Sequence, residues 1–254
     1  MKIRVLGCGT SGGVPHVDGN WGACDPANAK NRRRRSSILV EAGEGRLLVD
    51  CGPDCREQLL DAGVRGLDAC IVTHDHADHC HGIDDLRGLV RRSGRRLPLW
   101  ARAHTLDQLE RRFAYAFAGY ENYSPLFEPV ALDSERAWQG GRFRFVDQPH
   151  GSINSLGLRF DRDGKSLAYA IDFHELTSEM ATLYAGVDVW ICDCLGLKPH
   201  PTHAHLDAVL RWAKELGVGQ LWLTHLDIVM DHAQLSSMLP DWAAPCHDGL
   251  ELTL

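Results

Sequence analysis

Short apolar runs alternate with polar segments along the chain, a pattern typical of buried strands separated by turns and helices. The runs predict strands at 3–6, 38–40, 46–49, 69–72, 98–101, 128–132, 143–147, 156–160, 167–171, 187–192, 220–223 and 250–254. Apolar residues at helical spacing predict helices at 54–63, 82–93, 106–118, 205–216 and 233–239. The broad order, strands and then helices twice over, predicts a layered α/β sandwich built from two similar halves.

One polar segment stands out, because it places three imidazoles and two carboxylates directly behind the strand 69–72. Its sequence is Thr73-His74-Asp75-His76-Ala77-Asp78-His79. If the strand is buried, His74 and His76 leave its end on the same side, while Asp78 and His79 follow in a tight turn. Imidazole and carboxylate are preferred ligands of borderline divalent cations. A solvated turn is the alternative, but the spacing favours a metal site, and two ligand pairs suit two adjacent metals better than one.

Three later residues also follow hydrophobic strands directly, namely His150, Asp172 and His225. A lone histidine in such a position is more often a satisfied core residue than a ligand. Taken together with the upstream motif, however, the three complete a ligand set for two metals. Asp50 ends another strand and is expected to orient a ligand, since metal-bound imidazoles usually donate their second N–H to such an acceptor.

Composition limits the number of domains, the partners and the cellular location that we expect. The 254 residues, 44% of them hydrophobic, predict one domain spanning 1–254. A formal net charge of −7 argues against nucleic acid or an anionic membrane surface as the main partner, although a local basic patch stays open. Nine cysteines without framework spacing predict free thiols and a cytoplasmic location. Because no export signal and no long apolar run is present, neither secretion nor membrane insertion is expected.

Two loops carry weaker signals. The glycine-rich segment 7–15 contains Gly9, Thr10 and Ser11, and its small residues would let backbone N–H groups approach an anion. A sharp turn is the competing interpretation. The arginine run 32–35 would grip phosphate, or it forms a solvated flank before a strand. The aromatic segment 117–127 is either a lid over the site or an ordinary anchored loop.

These motifs together resemble the metallo-β-lactamase superfamily of hydrolases, and the resemblance covers essentially the whole chain. It implies a four-layered αβ/βα sandwich with the site at one edge between two sheets. It also implies that two divalent ions, Zn or Mn with Fe as a further option, bind seven ligands. The first ion would be held by His74, His76 and His150, the second by Asp78, His79 and His225, and Asp172 would bridge the two.

Within the superfamily, the segments 7–15, 82–87 and 248–250 look most like the branch containing the phosphoribosyl cyclic phosphate phosphodiesterase. The tRNA 3′-processing endonucleases look like more distant relatives. The phosphodiesterase has a cysteine cluster near its N-terminus for a separate structural zinc, whereas this chain has only Cys24 in the corresponding stretch. We therefore expect no structural zinc here.

The implied chemistry is attack of a hydroxide shared by the two ions, with Asp78 in the catalytic centre. A leaving oxygen then needs a proton, and the segment 200–205 supplies candidates, of which we favour His203; helix capping is the alternative for these histidines. Weaker candidates for contact with substrate, besides the residues of the glycine-rich loop, are Arg87, His205 and Asp248.

The leading hypothesis is a metal-dependent phosphodiesterase acting on a small cyclic or nucleotide-like phosphodiester. A thioester or lactone hydrolase would use the same centre, and a tRNA-processing nuclease would draw on the arginine run. A non-catalytic metal-binding module is disfavoured because all seven ligand positions are present. A small-molecule substrate is therefore expected, and a homodimer stays open.

Overall fold

The computed structural model describes residues 1–254 and contains two seven-stranded sheets. The first sheet consists of β1 (Lys2–Gly7), β2 (Ser37–Ala42), β3 (Gly45–Val49), β4 (Ala69–Ile71), β5 (Leu97–Ala101), β6 (Phe127–Ala131) and β14 (Glu251–Thr253). The second consists of β7 (Glu135–Trp138), β8 (Gly141–His150), β9 (Ile153–Arg162), β10 (Lys165–Ala170), β11 (Val189–Asp193), β12 (Gln220–Thr224) and β13 (Ala243–Pro245).

Both sheets change from antiparallel to parallel pairing part-way across. The first has the order β14-β1-β2-β3-β4-β5-β6 and is parallel from β3 onwards. The second has the order β13-β12-β11-β10-β9-β8-β7 and is parallel from β13 to β10. Strand β11 is buried at every position, as expected of a parallel strand covered on both faces. Parallel strands bring their carboxyl ends to one edge, where ligands usually bind.

Helices cover the outer face of each sheet. They are α1 (Cys55–Asp61), α2 (Ala77–Cys80), α3 (Arg87–Ser93), α4 (Ala103–Arg112), α5 (Ala114–Ala118), α6 (Ser178–Tyr184), α7 (Leu206–Glu215) and α8 (His232–Met238). Leu59, Leu109 and other apolar residues pack α1, α3, α4 and α5 against the first sheet. Met180 and Val209 pack α6 and α7 against the second in the same way.

The inner faces of the two sheets form the central core. Side chains of β8 alternate between buried and accessible, and Phe143 stacks on Phe160 of β9 with ring centroids 4.3 Å apart. Val5 and Val40 of the first sheet belong to the same buried cluster. The molecule thus has four layers, helix, sheet, sheet and helix, and the predicted αβ/βα sandwich is confirmed.

Several predicted elements differ in detail. The helix expected at 82–93 divides into a 3₁₀ turn, Ile83–Leu86, and α3. The helix expected at 106–118 breaks at Phe113, whose φ of −119° and ψ of 37° are not helical, into α4 and α5. Helix α6 and the short strands β7 and β13 were not predicted. No helix combines the length and apolarity that crossing a membrane would require.

Candidate metal centre

Four of the predicted ligands lie at or just beyond the carboxyl ends of strands. His150 is the last residue of β8, His225 directly follows β12, Asp172 lies two residues past β10, and His74 lies three residues past β4. Because these strands belong to facing sheets, their ends meet at one edge of the sandwich. The pattern of a polar residue behind an apolar run therefore corresponds to one shared site.

Three residues of this edge have left-handed backbone conformations. The φ angles are 64° for Asp50, 55° for Asp172 and 58° for His225. Such angles are uncommon for residues other than glycine, although Asp and His tolerate them better than most, and they cluster at functional sites. Each one lies one or two residues past the end of a strand, where the chain leaves the sheet.

A first group of donor atoms comes from His74, His76, His150 and Asp172, whose ligand atoms all lie within 4.8 Å of one another. His150 Nε2 lies 3.3 Å from His76 Nδ1. The Oδ2 atom of Asp172 lies 3.5 Å from His74 Nε2 and 3.5 Å from His150 Nε2. Three imidazole nitrogens and a carboxylate oxygen thus face a common point.

A second group comes from Asp78, His79, Asp172 and His225, again within 4.8 Å. His79 Nε2 lies 3.1 Å from Asp78 Oδ2, and His225 Nε2 lies 3.4 Å from Asp172 Oδ1. Asp172 belongs to both groups and presents Oδ2 to the first and Oδ1 to His225. The two groups consequently have the arrangement of adjacent metal sites that share one carboxylate.

The donor atoms in these groups lack hydrogen-bond partners. His74 Nε2, His79 Nε2, His225 Nε2 and Asp172 Oδ1 are all buried and unpaired. Each unpaired buried polar atom costs on the order of 1–3 kcal/mol, so four in one place would be a large penalty without a compensating ligand. Divalent cations would satisfy all four atoms at once, and the nitrogen and carboxylate donors suit such ions.

A second layer of contacts fixes the orientation of the imidazoles. His79 Nδ1 donates to Asp50 Oδ2 at 2.8 Å, and the backbone N–H of Thr73 donates to Asp50 Oδ1 at 2.8 Å. Asp50 therefore contacts His79, one of the predicted ligands. His150 Nδ1 donates to the carbonyl oxygen of Thr202 at 2.9 Å. With Nδ1 used as a donor, Nε2 of His79 and of His150 is left free for a metal.

Sequence reasoning missed Asp193. This fully buried residue ends β11, and its Oδ2 accepts from His203 Nδ1 at 3.0 Å. Its Oδ1 lies 3.5 Å from His225 Nδ1. The signal that would have found it was present, because Asp193 follows an apolar strand just as Asp172 and His225 do. Its neighbours Cys192 and Cys194 are both buried free thiols.

Burial and neighbouring charges shift the pKa values of His74 and His225 in opposite directions. Burial lowers the pKa of His74, and the adjacent His79 lowers it further, which favours the neutral form that binds a metal. Burial also acts to lower the pKa of His225, but Asp172 and Asp193 outweigh it and raise that pKa to about 10. Carboxylates thus set a strongly negative potential in the second group, which attracts cations.

The two donor groups open into a cleft of about 270 Å³. Its walls include Ser11 of the glycine-rich loop, the segment 151–153, Thr202 and His203. The ring of His203 lies 5.0 Å from that of His150 and 4.9 Å from that of His225, measured between centroids. No lysine or arginine lines the cleft.

Gly9, Thr10 and Asp248 do not line this cleft. The N–H of Gly9 donates to the carbonyl of Arg34, and Thr10 is buried with its N–H directed at the carbonyl of Leu226. Asp248 accepts from the N–H groups of Cys8 and Arg34 at 3.1 and 2.8 Å. These contacts tie the glycine-rich loop to its neighbours, so the loop is chiefly a structural turn that delivers Ser11 to the site.

Arg87 and His205 also lie away from the cleft. Arg87 pairs with Asp84 and lines a separate recess, while His205 precedes α7 without forming a side-chain cap. Neither residue lines the cleft that contains the predicted metal ligands. The aromatic segment 117–127 does not line the cleft either, so it is not a lid in this structure.

The arginine run is not a solvated flank throughout. Arg33 is 2% exposed, and its guanidinium donates to the carbonyl of Met230 at 2.6 Å and contacts Cys24 Sγ at 3.7 Å. Arg34 pairs with Asp61, and Arg35 pairs with Asp54. Three of the four arginines thus have partners within the fold.

A family model described as a β-lactamase superfamily domain matches residues 45–226. The chain belongs to the metallo-β-lactamase superfamily. That assignment confirms the resemblance, and the fold of this superfamily implies binding of divalent metal, which agrees with the two donor groups.

Proteins of known structure that are similar to this chain include a diphosphatase of the PhnP family. It is 34% identical, with a TM-score of 0.90, and the match covers 99% of this chain and 96% of that one. A Porphyromonas gingivalis protein named octanoyltransferase is 30% identical over 99% of this chain and 51% of its own length. A Bradyrhizobium ribonuclease Z is 32% identical over 62% of this chain and 50% of its own length. The chain spans about half the length of these curated relatives.

Proposed function

We propose that the protein is a metal-dependent phosphodiesterase that acts on a small phosphodiester. The observation that carries the proposal is the pair of donor groups joined through Asp172, with the His203–Asp193 pair beside them. The PhnP-family neighbour, a diphosphatase at 34% identity over almost the full length of both chains, supports the same class of substrate.

The charge of the cleft supports metal-dependent binding of phosphate. Asp78 and Asp172 line it and no lysine or arginine does, so the protein offers a phosphodiester anion no permanently charged side chain as a partner. Two divalent cations, held by the seven proposed ligands, would supply positive charge, Lewis-acid stabilisation of the reacting phosphorus and a water nucleophile active near neutral pH. Zinc and manganese both suit the nitrogen and carboxylate donors.

His203 is proposed as the acid that gives a proton to the leaving oxygen. Since the carboxylate of Asp193 only accepts, Nδ1 of His203 carries the proton of their 3.0 Å hydrogen bond. The Nε2 atom is then free for the substrate. Asp193 would orient the ring and stabilise its protonated form, the role that buried carboxylates have beside catalytic histidines.

The size of the cleft favours a compact reacting group. At about 270 Å³ it lies near the lower limit of small-molecule sites, which run from roughly 300 to 1,000 Å³. A cyclic phosphodiester or a single diphosphate linkage is of this size. Larger parts of a substrate would lie outside, against the rim formed by Ser11 and the segment 151–153.

The test is hydrolysis by protein loaded with zinc or manganese, with bis(p-nitrophenyl) phosphate, cyclic nucleotides and a dinucleoside diphosphate as substrates. His203→Ala should lose activity on substrates with poor leaving groups, whereas His104→Ala, at an exposed histidine outside the cleft, should not. Metal-loaded protein that hydrolyses none of the phosphate esters but does cleave S-lactoylglutathione or a lactone would overturn the proposal.

A second candidate is processing of RNA, favoured by the match to ribonuclease Z. It would use the same centre on a longer substrate. Cleavage of a tRNA precursor at a defined 3′ position, with little activity on small diesters, would make it the better proposal.

A further inference from the structure

The helical layer next to the metal motif contains a strongly basic segment. Residues 87–96 hold five arginines and no acidic residue, in a chain whose formal net charge is −7. Arg87 pairs with Asp84, but Arg91, Arg95 and Arg96 take part in none of the ion pairs and are exposed. Gly94 ends α3 in a left-handed conformation with φ 67°, and Arg95 and Arg96, which follow it, line the same recess as Arg91.

Three tyrosines complete the opposite wall of the same recess, and all three are unusually accessible. The exposed fractions are 40% for Tyr115, 63% for Tyr120 and 59% for Tyr123. The recess between them and the arginines has a volume of about 830 Å³ and shares no lining residue with the metal cleft. We call it the Arg–Tyr recess.

The walls of the Arg–Tyr recess are held in place by contacts within the protein. The guanidinium carbon of Arg87 lies 5.9 Å from the ring centroids of both Tyr115 and Tyr123. The hydroxyl of Tyr115 donates to Asp84 at 3.0 Å, the same carboxylate that pairs with Arg87. Tyr120 and Tyr123 exchange two backbone hydrogen bonds across a tight turn, at 3.0 and 2.8 Å. The recess is therefore largely preformed.

Part of this arrangement has an ordinary explanation. Basic residues in the last turn of a helix are stabilised by the helix dipole, which would account for Arg91. The dipole does not explain arginines after the helix end, nor three accessible tyrosines facing them. Guanidinium groups bind phosphate in a planar, two-pronged geometry, and tyrosine and arginine faces stack on nucleobases.

We propose that the Arg–Tyr recess binds a phosphorylated nucleoside, either as a free nucleotide or as one unit of single-stranded RNA. The arginines would contact phosphate and the tyrosines would stack on the base. A volume of about 830 Å³ lies within the range of small-ligand sites and accommodates a nucleotide. The proposal does not rest on the proposed function, because no residue of the metal centre takes part.

The test is fluorescence anisotropy of a fluorescein-labelled ten-adenosine RNA with the metal-loaded protein, with strand integrity checked on a gel. Arg91→Gln/Arg95→Gln should weaken binding at least about tenfold. It should also reduce the slope of log affinity against log salt by about 1.4, since each lost phosphate contact on a single strand contributes roughly 0.7. The matched control is Arg65→Gln/Arg211→Gln, which removes two exposed arginines outside the recess and should change affinity less than twofold.

Competition distinguishes the two sources of ligand. Displacement of the RNA by ADP supports a free nucleotide, and displacement only by unlabelled RNA supports a strand. Tyr120→Ala should weaken either ligand without changing the salt slope, because it removes stacking rather than charge. Three results would overturn the proposal: competition by pyrophosphate as strong as that by ADP, equal losses in both double variants, or no binding below millimolar concentration. Sedimentation that shows a dimer broken by Arg91→Gln/Arg95→Gln, without RNA binding, would instead make the recess a subunit interface.

Discussion

Asp193→Asn tests whether the buried carboxylate acts through His203. Asparagine keeps the volume of the side chain and one acceptor, but removes the negative charge 3.0 Å from His203 Nδ1. A hydrogen bond to a charged group is worth about 1.5–3 kcal/mol, and each ~1.4 kcal/mol is a factor of ten in rate. We therefore expect kcat to fall roughly 10- to 100-fold on a diester whose leaving group needs a proton.

A comparison of substrates with different leaving groups distinguishes a role of Asp193 in proton donation from a purely structural role. p-Nitrophenolate departs without a proton, so hydrolysis of bis(p-nitrophenyl) phosphate should fall by no more than about threefold in Asp193→Asn. A cyclic nucleotide expels an alkoxide and should show the full loss. His203→Gln should give the same pattern, and adding Asp193→Asn to His203→Gln should cost little more, because the two residues would act as one unit.

Equal slowing of both substrates by Asp193→Asn would refute a role of Asp193 in proton donation. Asp193 also lies 3.5 Å from His225 Nδ1, so a weakened metal ligand would produce that result together with reduced metal content. Metal analysis of the purified variant is consequently part of the experiment. An unchanged rate on the cyclic substrate would equally refute the role of Asp193.

Three other perturbations test the centre and the surrounding fold. Gly52→Ala should reduce metal content, because the added Cβ would collide with the carbonyl oxygen of Asp78. The control is Gly66→Ala, whose added Cβ would have no atom within 4 Å. Equal metal content in the two variants would contradict this prediction. Removing metal with a chelator should lower Tm by about 5–10 °C, as expected for loss of a ligand present at roughly 100 times its Kd; an unchanged melting curve would count against bound metal. Burial lowers the pKa of His232 to about 4, so the contribution of His232 to stability should be constant above pH 6.5 and should fall by up to about 3 kcal/mol as pH drops towards 4. Urea unfolding should show this loss reduced in His232→Asn, and an identical pH dependence would refute it.

The fold, and the clustering of the predicted ligand residues at one edge, could be predicted because their signals are local. An apolar run followed by His or Asp marks both a buried strand and a group at its carboxyl end, and this holds for His74, His150, Asp172 and His225. The four-layered arrangement follows from the same runs together with the resemblance. Asp50 was recognised by its place behind β3, and it does contact His79.

Residues whose roles depend on tertiary packing could not be predicted in this way. Asp248 and Arg34 are distant in sequence, yet a hydrogen bond between them helps to fix the glycine-rich loop. Because this contact is not visible in the sequence, the composition of the loop suggested an anion site instead. Arg87 follows the motif closely, but the 3₁₀ turn Ile83–Leu86 directs it to the Arg–Tyr recess. Asp193 had the right local pattern, but nothing in the sequence indicated that β11 lies between β10 and β12.

The lack of any lysine or arginine on the cleft wall has a thermodynamic consequence. If bound divalent cations supply most of the positive charge that a phosphate ester meets there, ester and metal bind with positive heterotropic coupling. Linkage then requires each to tighten the other by the same factor. Substrate would thus retain metal in the centre, and cells poor in metal would lose activity more steeply than either affinity alone suggests.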